Sequence, residues 1–168
     1  MAVASDSPAG RPGRIVGIDL GDRRIGVAIG DAATRTASPF ATLGRGKSIG
    51  DDIAAIGKLA AEQGAGFIVV GLPLNMDGSE GPQATLTREW AVAVAAATGL
   101  TLSFRDERLT SERAERRIGG APRGKSGGPP SPAQREAYRA RVDREAAALI
   151  LQDDLDATLN ENLDRRPT

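Results

Sequence analysis

Phe67-Ile68-Val69-Val70-Gly71-Leu72 is apolar without a break and of strand length, the pattern of an interior strand whose two faces are both covered. Such a strand calls for helices on either side of a sheet, and the flanking sequence supplies them. A polar loop from Pro73 to Gly81 leads to a helix over about 82–98 carrying Leu86, Trp90, Ala93, Val94 and Ala97, which Gly99 ends. On the other side, Asp51 or Asp52 caps a helix that ends near Gln63, with Ile53, Ile56, Leu59 and Ala60 as its buried stripe and Gly64 as its stop.

The chain opens differently. Ile15–Leu20 and Ile25–Gly30 read as short strands joined by the turn Gly21-Asp22-Arg23-Arg24, an antiparallel hairpin, and a weaker strand follows over Thr36 to Leu43. Thr101 to Glu107 is a further strand. The short helix after it is capped by Thr110, carries Glu112 and Glu115 early and Arg116 and Arg117 late, as the helix dipole favours, and stops at Gly119-Gly120. Ser131-Pro132-Ala133-Gln134 has the form of a capping box with Pro at the first helical position, opening a helix to about Leu155. A hairpin followed by alternating helices and strands predicts an α/β fold with a mixed sheet flanked by helices, its later strands parallel because each connection contains a helix. With 168 residues this is one domain, 14–156, with a disordered arm at 1–13, a flexible Gly/Pro loop at 119–130 and a polar tail at 157–168.

Neither Cys nor His occurs, which removes disulfides, thiolate nucleophiles, structural zinc and any general base built on imidazole. Catalysis must then fall to carboxylates, hydroxyls, Lys, Arg or a hard metal ion. Five aromatics (Phe40, Phe67, Trp90, Phe104, Tyr138) argue against a stacked-ring platform for nucleic acid, leaving backbone and phosphate contacts. Charges balance at 22 basic and 22 acidic residues, but residues 105–145 hold 11 basic against 7 acidic and 153–168 hold 2 basic against 5 acidic. That pattern is either ordinary solvated helix surface or a basic patch that attracts phosphate beside an acidic site. No apolar stretch has membrane-spanning length and the start lacks the apolar segment of a secretory signal, so a cytoplasmic protein without a membrane partner is expected.

Asp19 sits inside an apolar strand, where an ionised carboxylate is costly unless a cation or several donors replace its water. The amides of Gly21 to Arg24 are one solution; a bound metal ion is the other. Asp106 and Glu107 end another strand, and sites in open α/β sheets gather at the C-terminal ends of parallel strands. Alternation sets Leu102, Phe104 and Asp106 on one face and Thr101, Ser103, Arg105 and Glu107 on the other; it does not choose between the two acids, and Arg105 or Arg108 is an alternative partner for either. Asp143 shares a helical stripe with Ala146, Ala147 and Ile150, so it faces the core side, and small residues at 146–148 let the helix approach the sheet closely. A flank position paired with Arg139 or Arg144 is the other reading. Three carboxylates on three elements suit Mg²⁺ or Mn²⁺. Two such ions ~4 Å apart activate water and stabilise the leaving oxygen in in-line attack on a phosphodiester.

Four segments together resemble the YqgF family of pre-16S ribosomal RNA nucleases, also described as Holliday-junction-resolvase-like proteins. The first is Gly17-Ile18-Asp19-Leu20-Gly21 with Arg24-Ile25-Gly26-Val27-Ala28, and the second runs from Val70 to Gly78. The third is Asp106-Glu107-Arg108-Leu109-Thr110, and the fourth Asp143-Arg144-Glu145-Ala146-Ala147 with Ile150-Leu151-Gln152. They occur in the family's order; each is weak alone and the ordered set is specific. The resemblance implies a ribonuclease-H-like fold and a two-metal endonuclease for the 5′ end of pre-16S ribosomal RNA or, alternatively, for branched DNA. It puts Asp19, Glu107 and Asp143 in the catalytic, metal-binding positions and prefers Glu107 to Asp106.

For the nucleic acid itself, Asn75, Ser79 and the free amides of the following helix are candidate phosphate contacts, with a plain surface turn as the alternative. Arg24 and Arg108, each beside a motif acid, either neutralise substrate or brace the carboxylates. Arg123 and Lys125 sit on a loop expected to order when nucleic acid binds. The sequence departs from the family where a compact basic run commonly precedes the last Asp: here Arg135-Glu136-Ala137-Tyr138-Arg139-Ala140-Arg141 dilutes the charge. Two other classes compete. Actin-like ATPases and sugar kinases share the Asp-x-Gly hairpin but clamp nucleotide between two lobes, and this chain supplies one. A non-catalytic RNA-binding assembly or transcription factor would have no use for three costly carboxylates. A junction resolvase would favour a two-fold homodimer.

Overall fold

The computed structural model describes residues 13–124 and 126–164, without the side chains of 159–164. The arm read at 1–13 therefore lies, apart from Gly13, outside the described residues, as do Lys125 and residues 165–168. In chain order the elements are β1 (Arg14–Leu20), β2 (Arg24–Asp31), β3 (Thr36–Gly44), α1 (Ile49–Gln63), β4 (Ala65–Leu72), α2 (Pro82–Thr98), β5 (Thr101–Asp106), α3 (Thr110–Ile118) and α4 (Pro132–Asp164). The strands form one sheet in the order β3-β2-β1-β4-β5. β1, β2 and β3 pair antiparallel, and β4 pairs parallel with both β1 and β5, as helix-containing connections require.

Alternation along the strands sorts the core into two unlike layers. Val16, Ile18, Leu20, Ile25, Val27, Ile68 and Val70 pack on Ile56, Leu59 and Ala60 of α1 and on Trp90, Ala91 and Val94 of α2. Each large aliphatic buried there contributes about 2 kcal/mol. The opposite face, under α4, is lined by Ile15, Ala28 and Val69 against Ala147, Ala148, Ile150, Leu151 and Leu155. Here side-chain bulk gives way to proximity: a Cβ at Gly17 would stand 2.7 Å from the Leu151 Cβ and 2.9 Å from the Ala147 carbonyl oxygen.

Polar contacts fix where α4 stops along its axis. Arg105 Nε donates to the buried Asp154 at 2.7 Å, Arg113 to Asp153 at 2.7 and 3.2 Å, the Ala37 amide to Gln152 at 3.0 Å, and Thr42 to the Ala140 carbonyl at 2.6 Å. Contacts on both sides of position 143 thus hold the helix against both edges of the sheet.

Several local readings change. The cap of α1 is Ser48, in a capping box with Asp51, while Asp52 is buried inside the fold. α3 begins at Thr110 behind Leu109, whose φ of 62° is left-handed, and Thr110 donates its amide to the Glu107 carbonyl instead of capping. Leu86 lies on the exposed side of α2, which buries Ala84 and Thr87 instead. The box at Ser131 and Gln134 is present as read, but α4 continues past Leu155 to Asp164. β3 is an edge strand with a register shift that passes over the exposed Phe40 beside Pro39. Among the described residues no helix is long and apolar enough to cross a membrane.

Candidate functional site

Asp19 lies one residue from the end of β1, opposite Gly26 of β2, and by the two-residue period of a strand it faces α4 as Gly17 does. Gly26 is what lets the helix come down there: a Cβ on it would overlap the Asp143 carbonyl oxygen, so only glycine accommodates this crossing. Glu107 follows β5 directly, its amide donating to the Leu72 carbonyl at 3.1 Å. Its carboxylate lies over Gly71 of β4, beside Ile150 of α4, in space that any side chain at 71 would fill. Ser103 and Arg105 also face α4 through Asp154, whereas Leu102 and Phe104 join the α1/α2 layer. Alternation on β5 thus puts Glu107 on the same face as Asp19, and Asp106 on the other.

Asp106 belongs to Arg108. It accepts from the Arg108 amide at 2.9 Å and from its Nε at 2.7 Å, and the guanidinium holds its carboxyl below the ordinary range. Asp19 and Glu107 behave in the opposite way. Burial, then the negative charge of Asp143, pushes Asp19 up from 3.8 to about 7, opposed in part by a hydrogen bond with Glu107. Burial, then Asp19, pushes Glu107 up from 4.5 to about 8. Glu107 Oε2 is buried without a donor. Two carboxyl groups can bond to each other only when one carries a proton, and their raised values let the pair hold one near neutral pH.

Asp143, the third acid, is turned to Arg24, whose Nε donates to its Oδ2 at 2.5 Å and whose Nη1 reaches Glu136 at 3.2 Å. Among the described residues no group of three acidic side chains is arranged as a ready-made metal cage. The donor chemistry nonetheless suits a hard divalent ion: all oxygen, a buried oxygen with no partner, and two carboxyls that only added positive charge would keep ionised. Asp143 would complete that set on release from Arg24.

The remaining candidates are placed as follows. Arg24 and Arg108 brace carboxylates. Asn75 and Ser79 bond each other, Nδ2 to Oγ at 2.9 Å, in a loop that Asp77 also ties to Ser79 and that Arg108 holds through the Met76 carbonyl at 3.0 Å. Arg123 is exposed, and Lys125 lies outside the described residues. Grooves flank the first half of α4. One of about 420 Å³ is lined by Arg23, Arg24, Thr42 and Glu136, and another of about 290 Å³ by Pro122, Arg135, Tyr138, Arg139 and Asp143.

Sequence reasoning missed a hub beside the site. The buried Asp52 accepts from Arg45 Nε at 2.8 Å, the Gly46 amide at 2.7 Å and Trp90 Nε1 at 3.0 Å, and Arg45 Nη1 donates to the Gly21 carbonyl at 2.9 Å. It ties both helices of the far layer to the hairpin turn between Asp19 and Arg24. The available signal was a second acid one residue past the box residue Asp51, on the helix side that also carries Ile56.

Comparison with known proteins identifies the family and the fold. Residues 13–157 match the family model "RuvX: Holliday junction resolvase". A protein of Anaeromyxobacter dehalogenans, named "Putative pre-16S rRNA nuclease", is 46% identical over 143 residues, covering 85% of this chain and 96% of its own. Proteins of the same name from Acidiphilium cryptum and Chloroflexus aggregans are 39% identical over 151 residues and 40% over 149, covering 90% and 87% of this chain and 88% and 95% of theirs. Among solved structures, T. thermophilus RuvC in complex with a Holliday junction substrate superposes with a TM-score of 0.51 at 12% identity, over 88% of this chain and 96% of that one. The likeness shows the ribonuclease-H-like fold.

Proposed function

This chain belongs to the RuvX family, described as Holliday junction resolvases, and from that premise we propose that it is a divalent-metal-dependent endonuclease that matures the 5′ end of pre-16S ribosomal RNA. The observation that carries the reading is the Asp19–Glu107 pair: two carboxyls from strands on either side of β4, buried together under α4, raised to about 7 and 8, with one oxygen lacking any donor. A protein that used these acids only to hold its fold would satisfy them with donors, as it does Asp52 and Asp106. The names of the relatives supply the choice of ribosomal RNA.

Asp19, Glu107 and Asp143 would hold Mg²⁺ or Mn²⁺, which when bound supplies an activated water and charge stabilisation at the phosphodiester. The chain's own residues do the rest. Gly26 and Gly71 leave room for the acids, the Asp52 hub fixes the turn after Asp19, and α4, with Ile150 beside Glu107, covers the pair. Arg23, Arg24, Arg108, Arg123 and Arg139 attract the polyanion that three acids alone would repel.

The test is cleavage by the purified full chain with Mg²⁺ or Mn²⁺, offered a precursor RNA with a 5′ extension and, separately, a four-way DNA junction. Cutting of the RNA to 5′-phosphate ends, abolished by Asp19→Asn, supports the proposal. Preferential cutting of the junction would shift it to resolution, with a two-fold dimer expected; tight RNA binding without cutting would make the chain an assembly factor.

A further inference from the structure

Arg24 begins β2, paired with Gly44, and Asp143 sits on α4 with its backbone pressed against Gly26 two residues along the same strand. Neither backbone can move without breaking the sheet or lifting the helix, so the contact between them opens only through the side chains. The Arg24 Nε donates to Asp143 Oδ2 at 2.5 Å, while Nη1 reaches the exposed Glu136 at 3.2 and 3.4 Å. Both residues are about four-fifths buried, and Glu136 is 61% exposed. The Asp143 charge is nevertheless felt at Asp19. The third carboxylate is therefore within electrostatic reach of the pair but already committed to a cation.

Resting on the metal-nuclease reading, we propose that Arg24 is a latch: its guanidinium stands in for a divalent ion at Asp143, and a substrate phosphate that draws it into the neighbouring groove frees Asp143 to complete the ion's ligands. Metal and nucleic acid then bind cooperatively. Three observations support the direction of the swing. Arg24 lines the 420 Å³ groove together with Arg23, so a second guanidinium waits where a phosphate would enter. Glu136, on the rim of that groove, is the partner Arg24 keeps when it leaves Asp143. A planar guanidinium binds phosphate through two parallel bonds, which the single Nε contact to Asp143 does not match. Arg24 Nε and a metal ion compete for the same Asp143 Oδ2, so occupancy of that oxygen by Arg24 and by metal are alternatives.

The experiment is calorimetric titration of the full chain with Mn²⁺ in the absence of nucleic acid. Arg24→Gln should bind Mn²⁺ more tightly than wild type, on the order of tenfold, and adding Asp143→Asn should remove the gain. Arg24→Lys, which keeps the charge but not the fork, should fall between and serves if the Gln variant melts early. In EDTA, RNA anisotropy should show Arg24→Gln binding more weakly. Equal or weaker Mn²⁺ affinity in both variants, with wild-type melting, would show that Arg24 braces the carboxylate for metal and overturn the latch while leaving the nuclease reading intact. No Mn²⁺ binding by any of these chains would overturn both.

Discussion

Gly26 lies directly beneath the backbone of Asp143, so close that the smallest added side chain would overlap the carbonyl oxygen of the acid's own residue. Gly26→Ala should therefore lift α4 at the point where it delivers its carboxylate. Overpacking of this kind costs about 1–3 kcal/mol, readable as a lowered urea midpoint. Cleavage by the fraction that remains folded should fall by more than the stability loss explains, because Asp143 is displaced. Full activity in a destabilised Gly26→Ala would argue that the position of Asp143 is unimportant.

Stability of the metal-free chain should fall as pH rises. Asp19 and Glu107 have folded values near 7 and 8 against ordinary values of 3.8 and 4.5, so the folded chain holds protons that the unfolded chain has lost. Their contribution is fully present below about pH 4 and is lost as pH passes through 7 and 8. Melting temperatures measured from pH 5 to pH 9 in EDTA should decline from pH 5 to about pH 8 and level off above it, and Mn²⁺ added at pH 8.5 should restore much of the loss. A flat profile would contradict the coupling of these two carboxyls.

Asp19→Asn and Glu107→Gln should each abolish cutting while leaving the metal-free fold as stable as wild type, or more stable, at pH 8. Each removes half of a buried like-charge pair and replaces an acceptor with a group that can donate. Thermal melts alongside cleavage assays separate the two effects. Retained cutting in either variant would remove that residue from the catalytic set.

Asp52 should behave oppositely. Asp52→Ala leaves Arg45, the Gly46 amide and Trp90 Nε1 without their shared acceptor, a loss of about 3–5 kcal/mol visible in the denaturation midpoint. Arg108→Ala, which breaks a half-exposed ion pair with Asp106, should cost under about 1 kcal/mol. It should nonetheless raise KM, since the loop bearing Asn75 and Ser79 loses its anchor at Met76.

The strands and most of the helices were legible because their apolar periods are long and their glycine stops lie in the left-handed conformation, as at Gly64 and Gly99. Asp19 and Glu107 were legible as acids embedded in strand patterns, but which of Asp106 and Glu107 faced inward depended on the sheet's layering, which no local pattern contains. Asp52 was hidden because a buried acid beside a capping box looks like a capping residue until Arg45 and Trp90, from elsewhere in the chain, are brought to it. The end of α4 was misjudged because its last turns are mostly polar, and the four-residue spacing of Leu155, Leu159 and Leu163 was passed over. Arg24's attachment to Asp143 spans 119 positions and had no sequence signal at all.

The polar pins that seat α4 include Asp153 and Asp154, so the last acid of the site is brought home by residues still nearer the C-terminus. Without those two acids, α4 would lose its pins to Arg105 and Arg113 on the β5 side and keep those to Thr42 and Ala37 on the β3 side, with the apolar packing of Ala147, Ile150 and Leu151 between.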